Sequence, residues 1–252
     1  MSGEHQNHIF KTMSLGDHLE ELRIRLILAL LGLVVGLIVC LFFGGFLLKL
    51  IAEPYAAAME KANLEPVLLA IQPAEKFIVY FKTALLFGLI LSSPWVFYQL
   101  WAFVSAGLYP RERMYVRRIV PISVLLFVAG SFFFIKVVAP MAMLFFINFN
   151  PGIGFVKVNF TLSNYVSFVV SLTIVFGIAF QMPIAIVCLE RLGVLTLAGL
   201  RRYRKYVILL LAVVCAIVTP PDVISQIALA VPLYALYEVS ILVCRLTHKK
   251  AD

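Results

Sequence analysis

A single carboxylate on a strongly cationic loop is the first candidate for chemistry in this chain. The stretch Pro110-Arg111-Glu112-Arg113-Met-Tyr-Val-Arg117-Arg118 lies between two apolar runs and holds four arginines around one acid, Glu112. Lys and Arg in a short loop between spans fix topology by holding that loop on the cytoplasmic side. A carboxylate is not needed for that task. Glu112 therefore either pairs with Arg111 or Arg113, or receives a cation from outside. A second mixed cluster, Glu20, Glu21, Arg23 and Arg25, lies near the start of the chain.

Covalent and hydrolytic chemistry has no comparable support. The sequence holds no phosphate-binding glycine loop, no metal-ligand spacing and no nucleophile with a base at reach. His5, His8, His18 and His248 sit near the termini. Cys40, Cys188, Cys215 and Cys244 lie in apolar segments, where a thiol behaves as a small hydrophobe. No cofactor and no metal site are expected, and an ATP-driven role for this chain alone is excluded.

The elements that must position these residues are apolar. Of 252 residues, 63% are apolar and 13% charged, with a mean hydropathy of +1.02. Globular domains are about 45–50% apolar and about 25% charged. The chain is therefore read as an all-α polytopic membrane protein forming one transmembrane domain, 1–252. Its net charge of +8 follows loop position and is no nucleic-acid footprint.

In order, residues 1–25 form a cytoplasmic amphipathic N-terminus without the features of a secretory signal. Ser14 and Asp17 fit a helix cap with an acidic third position, and Leu15, Leu19, Leu22 and Leu26 form one face. Six spans follow, at about 24–50, 77–103, 119–149, 165–189, 207–218 and 223–244. An acidic, proline-containing loop is expected at 51–76, and a kink near Pro140. The fifth span is short: twelve residues give about 18 Å, against a hydrocarbon core of about 30 Å. The sixth is short too if it ends near Glu238, so the bilayer should thin locally around the pair. Cations gather on one side, from Arg23 and Arg25 through the Glu112 loop, Arg191, Arg201, Arg202, Arg204 and Lys205 to Arg245, Lys249 and Lys250. That asymmetry puts both termini in the cytoplasm.

Polar residues inside the spans are costly and so are candidates in their own right. Gln181 precedes Pro183 and is read either as an interhelical hydrogen bond or as a functional group. Glu238 is expected to pair with Arg245. Asp222 fits a helix N-cap after Pro220-Pro221, with Ser225 and Gln226 completing a polar patch at the outer turn. A faint internal echo, Phe87-Gly88 before Pro94 and Phe176-Gly177 before Pro183, is too slight to establish a repeat.

Four stretches together resemble the TatC family, the multispanning core of the twin-arginine protein translocase. Ser14-Leu-Gly-Asp-His18-Leu-Glu-Glu21-Leu-Arg23-Ile-Arg25-Leu26 is similar to its N-terminal motif. Pro94 through Glu112, with Tyr98-Gln99, Trp101, Phe103 and Leu108-Tyr109, resembles its first cytoplasmic loop. Phe176-Gly177 to Pro183 resembles its fourth-span motif, and Thr219-Pro-Pro-Asp222 with Ser225-Gln226 its last periplasmic turn.

The resemblance implies a receptor in the cell (inner) membrane for signal peptides with paired arginines, multimeric and assembling with single-span TatA/TatB-type subunits. Transport of folded proteins would draw on the proton-motive force. It implies that Glu21 and Glu112 meet the two arginines, with Arg23, Phe103, Leu108 and Tyr109 beside them. Two carboxylates suit two guanidinium groups, which form bidentate, charge-assisted bonds. It also implies that Thr219, Asp222, Ser225 and Gln226 contact partner helices. Three positions depart from the family pattern. Gln181 stands where Glu is frequent and cannot titrate, Ser105-Ala-Gly107 lacks a common proline, and Pro110-Arg111 replaces a basic-His pair. Two rivals make different demands. An ion-coupled small-solute carrier centred on Gln181 and Glu238 needs a closed midplane cavity, and a scaffold would tolerate loss of both Glu21 and Glu112.

Overall fold

The computed structural model describes residues 15–106, 113–148, 160–218 and 223–248. Among them the chain is helical, with one isolated bridge between Leu69 and Thr161 and no strand. The helices are α1 (Leu15–Phe42), α2 (Gly44–Lys61), α3 (Glu75–Ala106), α4 (Arg113–Phe133), α5 (Ala139–Asn148), α6 (Leu162–Ala179), α7 (Met182–Arg191), α8 (Leu197–Arg202), α9 (Arg204–Val218) and α10 (Val223–His248). Ser14, the expected cap of α1, lies outside the described residues.

Among the described residues, five helical stretches are long and apolar enough to cross a bilayer: His18–Phe42, Glu75–Ser105, Ile119–Asn148, Leu162–Arg191 and Leu229–Leu246. The fold is that of a polytopic helical membrane protein. At 15 residues α9 reaches about 22 Å, less than the hydrocarbon thickness of about 30 Å. The 26 residues of α10 continue through Glu238, so that helix is not short. Its carboxylate does not end the helix because Arg204 and Tyr234 satisfy it.

The stretch expected as a first span of 24–50 and an acidic loop of 51–76 folds as two helices. The first stops at Phe42 before Gly44-Gly45, and α2 then carries Glu53, Pro54 and Glu60 to Lys61. Glu53 is tolerated there because Lys136 lies 2.7 Å away. Only 62–74 remains as a loop, entered through a left-handed Asn63, φ 56°, where Leu64 N–H reaches the Met59 carbonyl. The irregularity expected near Pro140 is a π-helical turn, Phe134–Val138, between α4 and α5. Pro140 cannot donate to the Lys136 carbonyl and its ring crowds it, so the preceding turn widens.

Far from Phe103, the other end of the bundle is closed by hydrogen bonds. Glu75 accepts the Ile71 and Gln72 N–H groups at 2.7 and 3.2 Å and the Ser163 N–H at 2.6 Å, joining the starts of α3 and α6. The Tyr165 hydroxyl donates to the Ile51 carbonyl at 2.7 Å. Ile51, Tyr55, Val79, Phe134 and Phe176 form the core there, extended by Leu211, Leu229 and Leu233 from the last two helices. A second cluster, Ile186, Leu200, Tyr237 and Ile241, fastens α7 and α8 to α10.

The first helix packs chiefly on α3. Between helices in lipid no hydrophobic drive operates, so close van der Waals approach and hydrogen bonds must hold them. Gly32 and Gly36 supply the approach. A Cβ on Gly36 would lie 2.6 Å from the Gly88 carbonyl oxygen, and one on Gly88 would lie 2.8 Å from the Leu37 nitrogen. Gly32 faces the Trp95 ring, whose Nε1–H donates to the Leu28 carbonyl at 2.8 Å. Gly36→Ala should therefore cost about 1–3 kcal/mol through overpacking. A Cβ on Gly45 meets nothing within 4 Å, so Gly45→Ala should be close to neutral. Thermal midpoints of the purified variants in detergent check both.

Candidate functional site

The antiparallel seam that begins at Gly36 and Gly88 continues toward the start of α1 and the end of α3. Steps of three and four residues keep Leu28, Arg25, Glu21 and His18 on the face that meets Trp95, Gln99 and Phe103. Arg25 Nη1–H donates to Gln99 Oε1 at 3.1 Å, and Arg25 Nη2–H reaches Glu21 Oε1 at 3.4 Å. Gln99 is only 2% exposed. The His18 ring stacks on Phe103 with centroids 4.5 Å apart and planes at 22°.

The second oxygen of Glu21 decides what this cluster can do. Glu21 Oε2 is buried and has no hydrogen-bond partner among the described residues. A buried carboxylate oxygen left unpaired is costly, and a charged N–H donor entering beside it would remove that cost. A guanidinium suits the place best, since it offers several donors in one plane and stacks on aromatic rings. Of the residues expected here, Glu21 and Phe103 lie along the same α1–α3 seam, Glu21 reached by Arg25 and Phe103 stacked on His18. Arg23, two residues past Glu21, is exposed on another face of α1. Leu108, Tyr109 and Glu112 lie outside the described residues. Arg25, Gln99 and His18 were present in the sequence motifs without an assigned role. The four-residue spacing of Glu21 and Arg25 was the available signal.

Gln181 sits at the break between α6 and α7. Pro183 offers no N–H to the Ala179 carbonyl, and the chain turns there. Gln181 Nε2–H donates to the Ser123 carbonyl on α4 at 3.0 Å, and Ser123 Oγ accepts the Trp101 Nε1–H at 2.9 Å. The side chain thus faces a neighbouring helix and makes the interhelical bond. Glu238 accepts Arg204 Nη2–H and the Tyr234 hydroxyl, each at 2.7 Å. The partner expected from sequence was Arg245; the α9–α10 hairpin brings Arg204 opposite instead. A groove of about 720 Å³ between α3 and α4 is lined by apolar residues, among them Pro94, Pro121, Val124 and Phe132, and includes neither Gln181 nor Glu238.

At the far end of the last hairpin, Gln226 Nε2–H donates to the Ala212 carbonyl at 2.8 Å, fixing α9 against α10. Ser225 lies in the first turn of α10, its side chain not described. Thr219 and Asp222 lie outside the described residues.

The family described as Sec-independent protein translocase protein (TatC) matches residues 17–232. The chain belongs to the TatC family. It is 37% identical to the Sec-independent protein translocase protein TatCy of Bacillus subtilis strain 168 over 246 residues, which cover 95% of this chain and 92% of that one. With TatC of Escherichia coli K12 the identity is 36% over 234 residues, covering 93% and 89%. A crystal structure of the twin-arginine translocase receptor TatC superposes with a TM-score of 0.80 at 33% identity, covering 91% of this chain and 98% of that one. The helical arrangement around Glu21 is thus set in a TatC fold, and Gln181 stands at the break between α6 and α7 as a hydrogen-bond donor that cannot titrate. Gln181→Leu removes one bond to a carbonyl that also serves its own helix. It should lower stability by about 1 kcal/mol, read as a small drop in the thermal midpoint of the purified variant in detergent.

Proposed function

We propose that this chain is the signal-peptide receptor subunit of a twin-arginine protein translocase. The observation that carries the reading is Glu21 Oε2, a buried carboxylate oxygen without a partner among the described residues, held beside Gln99 and the His18–Phe103 stack. The relatives bear the name Sec-independent protein translocase protein, and a crystal structure of similar fold is that of the twin-arginine translocase receptor TatC.

In this reading Glu21 takes one arginine of the signal peptide and Glu112 the other. Arg23, Leu108 and Tyr109 contribute to the rim and Phe103 to a stacking surface. The chain crosses the cell membrane six times with both termini cytoplasmic, α9 serving as the short fifth span. Charge asymmetry supports that orientation. Single-span TatA/TatB-type subunits meet the outer end of α9 and α10, around Thr219, Asp222, Ser225 and Gln226. The proton-motive force drives transport of folded proteins in the assembled system.

The test is binding of labelled peptides to the purified chain in detergent, with Arg-Arg compared with Lys-Lys. Glu21→Gln and Glu112→Gln should each weaken Arg-Arg binding by about tenfold or more, as expected for lost charge-assisted bonds. They should also erase its advantage over Lys-Lys. Binding indifferent to both changes would overturn the reading.

A further inference from the structure

Arg25 is placed between two acceptors that it cannot satisfy equally. Its reach to Glu21 Oε1 is 3.4 Å, whereas the other two ion pairs described in this chain, Lys136–Glu53 and Arg204–Glu238, close to 2.7 Å. An Arg four residues after a Glu on the same helix can form that pair. A guanidinium left to itself takes a carboxylate through two parallel N–H bonds. Here it does not, because its other arm is donated across the seam to Gln99 Oε1 at 3.1 Å. Gln99 is buried, so its carbonyl oxygen needs that donor.

We infer that Gln99 is a positioning residue of the peptide site: by sharing Arg25 it stops Arg25 from closing on Glu21 and leaves the buried Glu21 Oε2 without an internal donor, for an incoming guanidinium to pair with. The inference rests on the receptor reading and adds a residue that sets affinity without touching the peptide. Without Gln99, the internal guanidinium swings onto Glu21, occupies both oxygens and competes with the peptide. Removing Arg25 as well then lifts the competition. A residue needed only for packing shows no such rescue.

Binding of a labelled Arg-Arg signal peptide to the full purified chain in detergent tests this. The set is wild type, Glu21→Gln, Gln99→Leu, Gln99→Met, Arg25→Gln and Gln99→Leu with Arg25→Gln. Gln99→Met matches the original in length and guards against a folding defect in the Leu variant. Loss of binding in Glu21→Gln establishes the site. Given that, Gln99→Leu and Gln99→Met should bind about tenfold more weakly, the scale of one lost charge-assisted bond. The double variant should return to within about threefold of wild type. Undiminished binding in both Gln99 variants, or a loss that Arg25→Gln does not restore, overturns the positioning role while leaving the receptor reading intact. Undiminished binding in Glu21→Gln overturns both.

Discussion

The close approach of α1 to α3 at Gly36 and Gly88 is the constraint on which the rest of the site depends. With lipid on its other sides, α1 has little else to hold its height and rotation. Glycine backbones touch there, and a side chain on either would force the helices apart. Two turns further on, Trp95 bonds the Leu28 carbonyl, then Gln99 bonds Arg25, then Phe103 meets His18. Each contact repeats the register fixed at the glycines. Because the helices are stiff over that length, a rotation at the seam moves Glu21 away from Gln99. Local backbone packing thus decides the geometry of a carboxylate about four turns away.

Polar groups elsewhere in the bundle are largely consumed by structure. Lys136 pairs with Glu53, Arg204 with Glu238, and Lys82 donates to Ser167 Oγ at 2.9 Å. Gln181 and Gln226 each donate to a backbone carbonyl on a neighbouring helix. Four buried side-chain oxygens lack a hydrogen-bond partner among the described residues. Three are the hydroxyls of Thr83, Ser131 and Thr161, and the fourth is Glu21 Oε2. Only the carboxylate carries charge, and only it lies beside a cluster of charged and aromatic groups at the end of two helices. That contrast sets Glu21 apart from the polar groups that serve packing.

Long apolar runs made the membrane class and most helices readable, since a run of about twenty such residues needs no partner to be recognised. Motifs around Glu21, Phe103, Gln181 and Asp222 carried the family. The helical nature of α2 was hidden because Glu53 and Pro54 look like loop residues until Lys136, far along the chain, is brought against them. Glu238 was matched to the near Arg245 because sequence distance was the only guide; the hairpin favours Arg204. The seam was hidden for a different reason. Gly32 and Gly36 have the spacing of a close helix contact, yet in an apolar run that spacing does not say which helix comes against them. Gln99 and Arg25 stand 74 positions apart, and nothing local couples them.

The most direct measurement is photocrosslinking of a signal peptide, with the reactive group beside its arginines, to wild type and to Gly36→Leu in membranes. A site set by the α1–α3 register predicts wild-type adducts at the first turns of α1 around Glu21 and at the last turn of α3 around Phe103. It also predicts that wedging the seam at Gly36 abolishes this paired pattern while the chain remains inserted. Adducts on other helices, or an unchanged pattern in Gly36→Leu, would contradict it.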